Sequence, residues 1–286
     1  MIPSIPQSRR FRTTYAAYVV LFFVYLAAPL VVVGTFAFND SLFPSLPWNG
    51  GTLAWFFGEQ GPKLGLFHDD ELLESIVISV IVAACTTALA LVLACCNAFL
   101  FERESFPGKN LLYILMLMPL VIPGVILGVS ILVFSSTIAN WFEVQLGWDL
   151  EFLLPGTTLV IIGQFAFIST ICTLIVSARL RKFDQSLEEA ALNLGASKLE
   201  AVRTVTLPYL KPALIGAGIV SFLMSFENFN TTLMLVGSDA PLTIAMFDRL
   251  REGATPVLNA VSLMLMLGSS VLAIASLMAQ GKKNPA

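Results

Sequence analysis

Six apolar stretches, each long enough to cross a bilayer as a helix, constrain this chain more than any other feature of it. They run approximately over Tyr15–Phe38, Ser75–Phe101, Leu111–Phe134, Thr157–Ala178, Ala213–Val236 and Pro256–Ala279. A helix of about 20 residues covers the ~30 Å hydrocarbon core of a membrane. Lipid offers no hydrogen-bond partner to open backbone, so spans of this length are helices. The expected fold class is an all-α membrane protein with six transmembrane helices, multi-pass in the lipid bilayer. The first stretch follows Arg9, Arg10 and Arg12 as a signal peptide would. It is too long for a signal's apolar region and no small-residue cleavage site follows, so it is kept as a span.

Composition agrees and excludes several functions. Hydrophobic residues make up 57% of the chain and charged residues only 12%, with a mean hydropathy of +0.83. Soluble domains carry roughly 25% charged residues. A net charge of -3 argues against a nucleic-acid partner. With His68 the one histidine, neither a His-based metal site nor Ser-His-Asp chemistry has material. No catalytic residue, metal or cofactor is expected, and the chain reads as a transport component rather than an enzyme. Cys85, Cys95, Cys96 and Cys172 lie in apolar runs without zinc-type spacing. They are expected to be buried packing residues with no disulfide.

The cations orient the spans. Arg9, Arg10, Arg12, Arg103, Lys109, Arg179, Arg181, Lys182, Lys198, Arg203, Lys211, Lys282 and Lys283 fall on one side, against Lys63, Arg249 and Arg251 on the other. The positive-inside rule places the first set, and with it both termini, in the cytoplasm. The expected organisation is a cytoplasmic tail over 1–14, a membrane domain over 15–279 and a cytoplasmic tail over 280–286. The last external loop, Leu242 to Glu252, has amphipathic character with charges clustered at its end.

One cytoplasmic loop, 179–212, is long and organised. Ser186-Leu-Glu-Glu189 fits a capping box, Leu187 to Leu194 a short helix, and Gly195 a left-handed stop. Ser197-Lys-Leu-Glu200 repeats the box and starts a second short helix, expected to end before Pro208. Such a pair makes a compact projection with a flat, small-residue face at Ala190 and Ala191. Within it, Glu189-Ala190-Ala191, then Gly195, then nine residues, then Val205-Thr-Leu207-Pro208 resembles the EAA signature of type I ABC importer permeases, with valine in place of isoleucine. The resemblance implies that Glu189, Ala190, Ala191, Gly195, Leu207 and Pro208 belong to a coupling element docking on an ATP-hydrolysing subunit. It further implies two ATP-binding subunits, a homologous second permease, a periplasmic solute-binding protein and an inner-membrane location. The chain has no G-x-x-x-x-G-K phosphate loop of its own. Gly216-Ala-Gly218 lies in a span, where close helix packing explains it.

The likeness extends over nearly the whole chain and points to the spermidine/putrescine-type branch. Phe38-Asn39, Trp48-Asn49-Gly50-Gly51-Thr52-Leu53, Met118-Pro119-Leu-Val-Ile-Pro123 with Gly128, and Gly253-Ala-Thr-Pro256 resemble that branch. The sequence departs from it at Gly124, where a glutamate is common, at Glu74-Ser75, where Asn-Ser is common, and at Asn228, where a second acid is common. A polyamine or related organic cation is the solute implied. Glu227 is the only acid or base well inside an apolar span, where charge is costly unless it faces a wet cavity or a partner. On a helix Asn230 and Thr231 would share its face. Glu227, Asn228, Asn230, Thr231 and the kink-forming Pro123 are the expected translocation-path residues. Internal hydrogen bonding of Glu227 to organise packing is the competing role. An ion-coupled secondary carrier is the alternative function, disfavoured by the single buried acid and the absence of an obvious repeat.

Overall fold

The computed structural model describes the backbone of residues 8–281 and the side chains of residues 8–274. Lys282, Lys283 and the rest of the carboxyl-terminal tail lie outside the described residues. Described residues are overwhelmingly helical, and six helices among them are long and apolar enough to span a membrane. The chain divides into two compact units, one built from residues up to Asp70 with Arg249–Gly268, the other from Glu71–Asp248 with residues from Ser269 onward.

In the first unit, α1 (Arg9–Phe36) starts where the Ser8 hydroxyl accepts the Phe11 N–H at 3.2 Å, and it buries no residue. An apolar helix without a polar face needs lipid or protein around it. The loop that follows is organised by Asn39, which is fully buried. Its Nδ2 donates to the Ser45 carbonyl (3.1 Å), its Oδ1 accepts from Asn49 N–H (2.9 Å), and its carbonyl accepts from Trp55 Nε1 (2.8 Å). Trp55 lies on the single turn α2 (Ala54–Phe57) and is itself buried. Asp69, also buried, pairs with Arg249 at 2.8 Å.

In the second unit, the seam of α3 (Asp70–Arg103) is a stripe of small residues, Ser75, Ser79, Ala83, Thr86, Ala90, Ala94 and Ala98, all buried at three- or four-residue spacing. Small side chains let helix backbones approach closely in lipid. Cys172 is buried in this core, but Cys85 and Cys96 are exposed. They lie off the α3 stripe, which corrects the expectation that all four cysteines are packing residues.

The third apolar stretch is not one helix. It divides into α4 (Lys109–Val121) and α5 (Gly124–Leu146), so the membrane-length helix lies further along the chain than expected. Pro123 has no N–H to give the Pro119 carbonyl, and Ile122 turns extended. The most buried span is α6 (Thr157–Leu180). Its Ile168, Cys172 and Val176 pack with Ala90, Ala94 and Ala98 of α3 and with Leu210 and Ala217 of the fifth span. Gly216 and Ala217 are buried, and a methyl on Gly218 would lie 3.3 Å from Leu91, as a packing role requires.

The loop after α6 holds α7 (Ser186–Asn193) and α8 (Lys198–Ala201). The second short helix does not end before Pro208. It continues through a π-turn over Val202–Thr206 into α9 (Leu207–Phe226). Pro208 occupies the first turn of α9, where its missing N–H is tolerated because the widened turn precedes it. The fifth stretch is also broken. It stops at Phe226, resumes as α10 (Thr232–Leu235) and is followed by α11 (Leu242–Glu252) and α12 (Pro256–Gly281).

Candidate functional site: the α7–α8 hairpin and the paired helix breaks

Two places in the second unit gather the residues singled out by sequence, and each is held by a partner that sequence reasoning passes over. At the hairpin, Gly195 adopts φ +94°, the left-handed stop expected of it. Ser197 and Glu200 form the expected reciprocal box: Glu200 N–H donates to the Ser197 hydroxyl (3.3 Å) and Ser197 N–H donates to Glu200 Oε2 (2.7 Å). Ser186 does not cap α7. Asp184, two residues earlier, accepts the Ser186 N–H at 3.0 Å and closes that end instead. Hydrogen bonds from Ser186 hold the Asp184 carboxyl below its usual range, and the Ser197 N–H and hydroxyl do the same for Glu200.

Glu189, Ala190 and Gly195 are exposed or half-buried at the hairpin surface, as is Ala191. Leu194 is 90% exposed and Leu199 77%, so the hairpin presents apolar tips to its surroundings. Leu207 and Pro208, the far end of the same signature, stand at the root of α9. Glu188, not Glu189, faces inward. Its Oε1 accepts from Arg103 Nη2 at the end of α3 (3.3 Å) and from the Thr206 hydroxyl in the π-turn. Arg103 lies over the Phe183 ring at 5.3 Å, Phe183 meets Tyr209 edge-on at 5.1 Å, and Arg179 lies over Tyr209 at 4.0 Å. Alongside, Arg181 clasps Glu102 with two bonds of 2.8 and 3.0 Å, which raises the guanidinium's already high pKa. The signal for Glu188 is that it is the first acid of the Glu188-Glu189 pair, easily missed because the pair reads as a cap.

The second place is where α9 gives way to α10. Glu227 is the C-cap of α9, and Asn228–Thr231 are not helical, so the expected helical face shared by Glu227, Asn230 and Thr231 does not exist. Glu227 is exposed, and its carboxylate makes no hydrogen bond or ion pair among the described residues. The break is held by Gln164 of α6, an amide buried to 1% exposure. Its Oε1 accepts from the Ser225 hydroxyl and its Nε2 donates to Thr232 Oγ1 (2.9 Å), while Thr232 donates to Asn228 Oδ1 (3.0 Å). A lone amide in an apolar run is the signal that points to Gln164, by the reasoning applied to Glu227.

This break faces that of the third stretch. Thr231 donates its hydroxyl to the Gly124 carbonyl at 3.3 Å, and a methyl on Gly124 would lie 3.1 Å from Asn230 Cβ. Between them is a cavity of roughly 350 Å³ lined by Pro119, Leu120, Ile122, Gly124, Leu127, Phe167, Ile171, Met224, Asn228, Asn230 and Thr231. Of the expected path residues, Asn228, Asn230 and Thr231 therefore share one wall. Pro123 stands between two lining residues without lining the cavity, and Glu227 precedes the wall in sequence.

Residues 88–283 match the model of the binding-protein-dependent transport system inner membrane component family. The chain belongs to that family. It is similar to the putrescine transport system permease protein PotI of Escherichia coli K12, with 29% identity over 246 residues, 85% of this chain and 82% of that one. It is 26% identical to the spermidine/putrescine transport system permease protein PotC of Haemophilus influenzae over 270 residues, covering 94% and 96% of the two chains. Among solved structures, a chain of the bacterial alginate ABC transporter, crystallised with an alginate pentasaccharide-bound periplasmic protein, superposes with a TM-score of 0.70. At 14% identity over 94% of this chain and 92% of that chain, it shows the fold alone. The permease is thus an inner-membrane ABC importer component of the type I class, with homologues among polyamine permeases.

Two outcomes follow for the permease. Gln164→Leu strands the Ser225 hydroxyl and costs about 1–3 kcal/mol, read as a lower thermal midpoint in detergent; an unchanged midpoint would dismiss the network. Because the Glu200 carboxyl is held low in the folded chain, the cap it forms is complete above the ordinary carboxylate range and is lost as pH falls through the lowered value. Amide protection over Lys198–Ala201, corrected for intrinsic exchange, should fall in that acid window, and Ser197→Ala should lower it about fivefold at neutral pH.

Proposed function

We propose that this chain is one of a pair of homologous permease subunits which, with two ATP-hydrolysing subunits and a periplasmic solute-binding protein, import a polyamine or related organic cation. The observation that carries the reading is the exposed, doubly capped hairpin, with Leu194 and Leu199 at its tips and the EAA residues on its surface. Apolar tips outside the spans favour burial in a partner's groove. The EAA pattern supports an ATPase as that partner, and the excess of cations in the same loops supports a cytoplasmic hairpin and cytoplasmic termini.

In this mechanism ATP binding closes the ATPase pair and displaces the hairpin, and α9 carries the displacement into the spans. The cavity beside Asn228, Asn230 and Thr231 then opens to receive solute, and hydrolysis returns it. Such a cycle is a two-state switch biased by its ligands, with the packed spans as the bistable element. Pro123 contributes the helix break that shapes the path, and the exposed Glu227 carboxylate supplies a negative field to a cation. The putrescine and spermidine/putrescine permeases among its relatives support that solute class. No covalent chemistry falls to this chain.

In proteoliposomes carrying the co-purified complex, ATP should drive putrescine uptake in the presence of the binding protein. Uptake driven by an ion gradient without ATP would identify a secondary carrier instead. Leu194→Asp should reduce ATPase co-purification about tenfold or more, and full retention would reject the hairpin as the docking element. Glu227→Gln should lower putrescine uptake several-fold at unchanged ATP hydrolysis; wild-type uptake would remove Glu227 from the path.

A further inference from the structure

The hairpin has a mechanical weakness at its root. It joins α9 through the π-turn over Val202–Thr206, where the Leu207 N–H reaches back five residues to the Val202 carbonyl. A widened turn is a joint, so a push on α7 would be absorbed there unless a second link bridged it. Glu188 is that link. One carboxylate oxygen accepts both from Arg103, the last residue of α3, and from Thr206, the last residue of the π-turn. The pair is largely shielded, with 16% exposure for the Arg103 side chain and 20% for Glu188, so solvent screens it only in part. Arg103 is itself fixed over Phe183, which packs on Tyr209 of α9.

We propose that Glu188 is a positioning residue, a strut that clamps the hairpin to α3 and α9 across the soft turn and makes its displacement reach the spans. The proposal rests on the importer reading above, and it gives the two adjacent acids different roles, with Glu189 outward on the docking surface and Glu188 inward on the frame. Losing the strut should leave ATP hydrolysis in place while disconnecting it from the spans.

The test uses the co-purified complex in nanodiscs, with the native cysteines replaced and spin labels at Val77 on α3 and Trp141 on α5, both exposed. ATP should shift the label-to-label distance distribution in the otherwise unmodified chain. Glu188→Arg and Arg103→Glu should each keep the complex assembled and hydrolysing ATP while reducing the shifted population about tenfold, and the double reversal should restore it. Glu188→Gln covers a reversal that misfolds, and a partial loss of the shift is expected from it. A full shift in any single variant, or a double reversal as defective as its parents, overturns the strut. Failure to recover an ATPase, or no ATP-dependent shift in the otherwise unmodified chain, counts against the importer reading instead.

Discussion

A backbone that leaves the helix inside apolar sequence must find its hydrogen bonds from side chains, because lipid supplies none. Among the described residues this happens at Ile122–Pro123 and at Glu227–Thr231, and the two interruptions face each other. Each is supported by groups that an unbroken helix would not need. Thr231 reaches the Gly124 carbonyl, Asn228 takes up the Thr232 N–H, and Gln164 bridges Ser225 to Thr232 from a third helix. The cavity between the breaks takes its polar wall from two of those groups, Asn228 and Thr231, with Asn230 beside them.

The other end of the same helices is held differently. Around α7 the contacts are guanidinium to carboxylate and guanidinium to aromatic ring, and they gather the ends of α3, α6 and α9. Such contacts keep their strength only where water is partly excluded. Arg103 and Glu188 meet that condition, while Arg181, 68% exposed, adds less despite its better geometry. The frame that matters is therefore the less ideal pair in the drier place.

What is readable in advance follows from how local each determinant is. Apolar length is local, and six membrane-crossing helices follow from it. The Ser197–Glu200 box and the Gly195 stop are also local, resting on neighbours within three residues. The departures arise where another group, near in sequence or on a different helix, chooses among local options. Asp184 displaces Ser186 as a cap, the π-turn lets α8 run on through Pro208, and a buried amide on α6 stabilises a break that hydropathy reads as continuous helix. Glu227 stands out by its charge, yet its setting depends on Gln164, an uncharged residue on a different span.

The close approach at Gly124 fixes the spacing of the two breaks. A side chain there would press on Asn230 and Thr231 from the opposite break. The two breaks are therefore sterically coupled rather than independent. Even a methyl group on one wall would oblige the facing pair to give by a few tenths of an ångström, so the pocket's width is set jointly by both breaks.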